Sequence, residues 1–150
     1  MKTIMAQVNE TAQGDDLFAQ QQIIEEALKR FTDFLNSRLD FFPVEIQEIF
    51  SCMHEHLFES SLTVEDVKMR CGLTNNNITT IFRQIVGVGM HEYIVNQRLK
   101  AAASVLRNNQ VRIYLLAYAV GYSEETFSRL FKKTYGCPPL QYCRSAGERN

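Results

Sequence analysis

The chain has 150 residues, 45% of them hydrophobic and 22% charged, and a net charge of −1 at neutral pH. That length fits one domain, or one domain with an appendage, of ordinary globular composition. No run approaches the roughly 18 apolar residues of a membrane helix. The opening MKTIMAQVNETAQGDD lacks the apolar core of a secretory signal, so a cytoplasmic location is expected and a membrane is not.

The charge is unevenly spread. Residues 1–60 carry four Lys/Arg against eleven Asp/Glu, and residues 61–150 carry twelve against six. An acidic appendage beside a basic, nucleic-acid-binding unit would produce this asymmetry, and so would a merely uneven surface.

Taken in order, residues 15–39 read as an amphipathic helix, with Leu17, Ile24, Leu28, Phe31, Phe34 or Leu35, and Leu39 near one side. Phe41-Phe42-Pro43 closes it, because the residue before proline is pushed out of helical geometry. A second helix is expected from Val44 or Glu45 to Glu59, burying Ile46, Ile49, Phe50, Met53 and Leu57. Thr63-Val64-Glu65-Asp66 has the form of a capped start, a hydroxyl followed by an acidic first turn. That helix stops at Cys71-Gly72, where glycine suits the left-handed position.

The next segment, TNNNITTIFRQ, places Ile78, Ile81, Phe82 and Ile85 at the spacing of a buried stripe. Its asparagines are weak inside a helix but useful at its start, so Thr74 or Asn75 is expected to cap it. A longer helix follows over about residues 91–109, then short helices over 112–120 and 124–135, closed by Gly121 and Gly136. Pro138-Pro139 opens a last helix carrying Leu140, Tyr142 and Cys143.

Two segments align without a gap at a period of 49 residues. Gly72-Leu-Thr-Asn-Asn-Asn-Ile78 sits over Gly121-Tyr-Ser-Glu-Glu-Thr-Phe127, Phe82 over Phe131, and Gly87 over Gly136. Each copy reads helix, glycine turn, hydroxyl cap (Thr74 or Ser123), apolar stripe, which is the helix-turn-helix pattern. With the apolar stripes inward, Asn76, Thr80 and Arg83 point outward in the first copy, flanked by Thr79 and Gln84, with Asn77 to one side. In the second copy Glu125, Arg129 and Lys132 point outward, flanked by Ser128 and Lys133. Short or forked donors suit base edges, asparagine pairing with adenine and arginine with guanine, while cations suit phosphates. A connecting helix of about 18 residues spans ~27 Å, compatible with recognition helices in successive major grooves about 34 Å apart.

Other chemistries find little support. The four cysteines form no CxxC pair, and most are expected to be small core residues in a reducing compartment. Cys52 and His56 share a helical face, but two ligands fall short of the four of tetrahedral zinc. There is no phosphate-cradling glycine loop and no HExxH. His54, His56 and His91 are read as helix-surface or partly buried residues, and neither an enzyme, a metal nor a cofactor is expected.

LTVEDVKMRCGLT, IFRQIVGVGMHEYIVNQRLKAAASVLR and above all AYAVGYSEETFSRLFKKTYGCPPLQYCR resemble the DNA-binding domain of the AraC/XylS family of bacterial transcription regulators, over about residues 45–144. The resemblance implies an all-α fold of seven helices, with a first helix-turn-helix near 62–87, a linker helix near 91–109 and a second unit near 112–136. Within it residues 45–150 form the DNA-binding domain and residues 1–44 an acidic helical extension. It implies promoter DNA as ligand, with RNA polymerase a further partner, an activating role, and a place at the bacterial nucleoid. The family's base-facing positions fall on Asn76, Thr79, Thr80 and Arg83, and on Glu125, Ser128 and Arg129. The chain departs from the pattern in a turn one residue shorter after Gly121, in the acids Glu124 and Glu125, and in Lys68, where alanine is usual. The 44 leading residues are too few for a large sensory domain, as in the family's short members. Residues 15–39 are expected either to pair with a second chain or to pack back on the domain. A second reading is a protein-binding module acting on RNA polymerase or another regulator, with weak DNA binding.

Overall fold

A computed structural model describes the backbone of residues 2–73 and 77–148 and the side chains of residues 16–73 and 77–145. Thr74, Asn75 and Asn76, expected as cap and base reader, lie outside the described residues. The helices are α1 (Lys2–Asn36), α2 (Val44–Glu55), α3 (Val64–Arg70), α4 (Ile78–Val86), α5 (Met90–Asn108), α6 (Ile113–Ala119), α7 (Glu124–Tyr135) and α8 (Pro139–Glu148), with a 3-10 turn over Leu39–Phe41. The fold is all-α, and α2–α8 supply the seven helices that the resemblance implies. Among the described residues no helix is long and apolar enough to cross a membrane.

Two apolar cores divide the molecule, and α5 runs through both. The first gathers Ile46, Ile49, Phe50, Met53 and Leu57 around Val67 and Phe82, with Met90, Tyr93 and Ile94 from the start of α5. The second joins Leu99, Ala102, Val105 and Leu106 from the rest of α5 to Leu116, Ala117, Val120, Phe127 and Phe131. Phe82 and Phe131, matched in the repeat, each occupy an aromatic cluster. Phe82 lies 5.4 Å from Phe50 and 5.9 Å from Tyr93; Phe131 lies 5.5 Å from Phe127 and 5.2 Å from Tyr142. Such offset and tilted ring pairs add to the area they bury.

Helix α1 packs back across both cores. Ile24 and Leu28 are buried in the second, Leu35 lies against the first, and Phe31 touches both. At its head, the Gln20 side-chain carbonyl accepts from the Arg112 N–H at 2.8 Å, just before α6. At its tail, Asn36 faces the buried ring of His54 at 2.8 Å. The stripe was expected to offer Phe34 as well, but Phe34 is 55% exposed, with Arg38 over its ring at 5.1 Å.

Three expected boundaries move. Helix α1 begins at Lys2 rather than Asp15, and it ends at Asn36, before the proline signal. There the Ser37 hydroxyl turns back to the Phe34 carbonyl at 2.7 Å and the 3-10 turn takes over. Helix α2 ends at Glu55, four residues early. Beyond that end, the carbonyls of Leu57 and Glu59 accept from the Arg98 guanidinium.

Candidate nucleic-acid interface

The two helix-turn-helix units share one backbone design. In the first, the Gly72 N–H donates to the Met69 carbonyl at 3.2 Å and the Leu73 N–H to Lys68 at 2.8 Å. In the second, Gly121 donates to Tyr118 at 3.1 Å and Tyr122 to Ala117 at 2.9 Å. These paired bonds finish each leading helix, and both require the positive φ of glycine, +63° at Gly72 and +97° at Gly121. The second helices also end alike, with Gly87 and Gly136 left-handed and bonded to the carbonyls of Arg83 and Lys132 at 2.8 Å.

Side chains fix the starts of α3 and α7. At α3 a capping box forms: the Thr63 hydroxyl accepts from the Asp66 N–H at 3.1 Å, and the Asp66 carboxylate accepts from the Thr63 N–H at 3.0 Å. At α7 the Ser123 hydroxyl accepts from the Thr126 N–H at 3.3 Å, and Glu124 and Glu125 fill the first turn. Carboxylates there complement the helix dipole, which gives both acids a local role. Despite the shorter turn, α7 starts directly after Ser123. Lys68 lays its stem along α3 and pairs with Glu65 at 3.5 Å.

On α4 the expected stripe is rotated. Phe82 is fully buried, and Ile78 and Val86 pack with it on the first core. Ile81 and Ile85 stand 39% and 40% exposed on one flank. Five of the nine α4 residues are aliphatic or aromatic, so its apolar arc is wider than the core it meets, and the side touching α2 and α5 takes the centre. Thr80, Gln84 and Asn77 are therefore exposed, Asn77 opening the helix without a side-chain cap bond, and Thr79 is half-buried. Arg83 is exposed but folds toward α5: a Cβ on Gly89 would lie 2.9 Å from its guanidinium. Thr79, Thr80 and Arg83 share a concavity of about 580 Å³ with His91 and Glu92 of α5. The sequence reading did not bring His91 and Glu92 to this site, because no local periodicity links the two helices.

On α7 the arrangement follows the wheel more closely. Phe127 and Phe131 are buried, Glu125, Arg129, Lys132 and Lys133 are exposed, and Ser128 is half-buried. Both second helices thus present polar and cationic side chains opposite an aromatic anchor.

Among the described residues no three His, Cys, Asp or Glu side chains converge as a metal site. The Cys71 thiol is pushed up to about 12 by burial and by the neighbouring Cys52, which keeps it protonated and a poor nucleophile or metal ligand. His54 is buried between Asn36 and the Tyr93 hydroxyl, 2.6 Å away, and its pKa is lowered to about 4 by burial. His56 is half-buried and lies between Glu59 and Arg70, at 2.7 Å from each. Its hydrogen bond holds the Glu59 carboxyl below its ordinary range.

A helix-turn-helix domain model matches residues 69–145, more than half of the chain. The regulatory protein SoxS of Escherichia coli (strain K12) is 30% identical over 98 residues, covering 65% of this chain and 91% of that protein. The putative transcriptional regulator YkgA of the same organism is 32% identical over 99 residues, but the chain spans only 40% of its length. It spans 52% of the arabinose operon regulatory protein, also of E. coli, at 23% identity across 97% of this chain. Among solved structures, the C-terminal domain of AraT, a response regulator from Geobacillus stearothermophilus, superposes with a TM-score of 0.63 at 28% identity, covering 72% of this chain and 88% of that one. The DNA-binding domain of AdpA, solved in complex with a target DNA, has the same fold at a TM-score of 0.63 and 22% identity, covering 69% and 93%. With the domain match lying over the duplicated units just described, the chain belongs to the AraC/XylS family of transcription regulators.

Proposed function

We propose that this protein is a sequence-specific DNA-binding regulator that sets α4 and α7 into successive major grooves of promoter DNA. The observation that carries the reading is the duplicated helix-turn-helix, in which the turn bonds, terminal glycines and buried phenylalanines recur while the opposite faces stay polar. In this reading Thr80, Gln84, Asn77 and Arg83, with Thr79, address DNA from the first unit, and so does Asn76, which lies outside the described residues. Arg129, Glu125 and Ser128 address bases from the second, and Lys132 and Lys133 phosphates. Ile81 and Ile85 add an apolar flank suited to thymine methyl groups. Helix α5, with 19 residues, spans about 28 Å, which suits the groove repeat. Residues 45–150 carry the DNA contacts. Residues 1–44 serve mainly to brace them, and a homodimer through residues 15–39 would have to use the outer side chains Phe18, Ile23 and Phe34.

Selection of sites from random duplexes followed by footprinting tests this reading. A protected stretch of about two helical turns is expected, with affinity falling steeply between 50 and 200 mM salt. Salt-indifferent binding, or none, would defeat it. A second reading, a module that docks on RNA polymerase or another regulator, is favoured by the exposed acids Glu124 and Glu125 at the start of α7. Protection confined to one half-site, with polymerase retained on the immobilised protein without DNA, would favour it.

A further inference from the structure

We infer that Arg98 is a positioning residue that clasps the two helix-turn-helix units at one fixed orientation, so that they meet DNA as a single bivalent body; this rests on the two-unit reading above. Arg98 lies in the middle of α5, between the two cores, and is only 4% exposed. Its Nε donates to the Leu57 carbonyl at 2.7 Å and its Nη2 to the Glu59 carbonyl, both in the loop after α2. The guanidinium carbon lies over the Tyr122 ring, 5.0 Å from its centroid. One side chain therefore holds the α2–α3 loop of the first core and the turn of the second unit together.

The glycines of the two turns record the same contact. A Cβ on Gly72 would meet open space, so glycine is required there only by its φ of +63°. A Cβ on Gly121 would lie 3.1 Å from the Arg98 guanidinium carbon and 3.1 Å from the Phe58 carbonyl oxygen. The two units share a turn but not its surroundings, and the difference is the clasp. The loop it grips is itself tied down: the Leu57 side chain is fully buried in the first core. The Glu59 carboxylate also meets His56 at 2.7 Å and Arg70 of α3 at 3.8 Å. A continuous set of polar contacts thus runs from the leading helix of the first unit to the turn of the second.

A buried cation is an expensive way to fill a core, since an aliphatic side chain packs without desolvating a charge. The planar fork of arginine serves a need that lysine and methionine do not, because it can bridge two carbonyls and stack on a ring at once. Without it the units would share the α5 rod, the α1 brace and the Phe58 packing but lose the polar contact that fixes their orientation. Binding of the second unit would then no longer follow from binding of the first at high effective concentration.

The test reads orientation with and without DNA. In the free protein, spin labels on ketone-bearing residues at positions 84 and 133 report the distance between α4 and α7. The wild type should give one narrow peak, and Arg98→Met and Arg98→Lys should each widen it at least about twofold. On a duplex with both selected half-sites, Arg98→Met should lose about 100-fold in affinity while its affinity for an isolated half-site is retained. It should also tolerate an insertion of about two base pairs between half-sites that cripples the wild type. An unchanged distance distribution in both variants overturns the clasp. So does loss of cooperative unfolding in both variants, which would make Arg98 a core residue and nothing more. If the wild type binds no duplex, the DNA reading fails, and the label distances alone decide the clasp.

Discussion

Acidification from pH 7 to pH 5 should weaken the protein through His54. The ring is 2% exposed, stacks on Phe50 at 5.5 Å, and meets the Asn36 side-chain oxygen at 2.8 Å and the Tyr93 hydroxyl at 2.6 Å. The neutral tautomer that donates from Nδ1 to Asn36 and accepts at Nε2 from Tyr93 satisfies both neighbours. Burial lowers its pKa from 6.5 to about 4, so between those values the unfolded chain binds a proton that the native state refuses. Native stability then falls as pH falls through that window, by about 1.4 kcal/mol per unit. From pH 7 to pH 5 the loss from this group is about 2 kcal/mol. At a urea dependence of 1–3 kcal/mol per molar, the unfolding midpoint should drop by about 1 M. The control is His54→Phe, which keeps an aromatic ring on Phe50 and removes the titration. Glu59, held below its ordinary value of 4.5, destabilises both proteins alike at lower pH. The urea midpoints of both proteins at pH 7 and pH 5 decide the matter: equal losses in wild type and His54→Phe would refute the assignment. Asn36 is the last residue of α1, so amide exchange at pH 5 should rise first at the α1–α2 junction.

Four further outcomes follow from the packing. Leu28→Ala should cost about 3 kcal/mol in a urea melt, because Leu28 is 6% exposed within the second core; a negligible change would detach α1 from the body. Thr63→Ala removes the hydroxyl that accepts from the Asp66 N–H, leaves the backbone N–H bond to the Asp66 carboxylate in place, and should cost about 1 kcal/mol, read by thermal melting. The Tyr122 hydroxyl is buried with no hydrogen-bond partner among the described residues, so Tyr122→Phe should be neutral or stabilising by up to about 1 kcal/mol. Arg83→Ala and Arg129→Ala should each weaken binding to a selected duplex by about 1–3 kcal/mol and relax preference at one base pair. A loss uniform across sequences would move that arginine from base to phosphate.

Much of this protein is legible in its sequence because the determining interactions are local. Turn glycines, a hydroxyl three residues before the N–H it caps, and an apolar residue every third or fourth position act within one turn of chain. That is why the repeat at 49 residues, the Thr63 box, the Ser123 cap and the buried pair Phe82 and Phe131 could be located from spacing alone. The facing of α4 could not. Ile78, Ile81, Phe82, Ile85 and Val86 cover so much of a nine-residue helix that periodicity admits several buried sides, and only contact with α2 and α5 selects Phe82 as the centre. The same holds for α1, whose stripe fitted a partner chain as well as it fitted the two cores it covers. His54 and Arg98 are the clearest cases. One is joined to residues 36 and 93, the other to residues 57, 59 and 122, separations at which sequence spacing carries no directional information. Local periodicity determined the helices and their repeat; the burial of one histidine and one arginine, which ties those helices into one body, arises only when distant segments close around groups that water would otherwise hold.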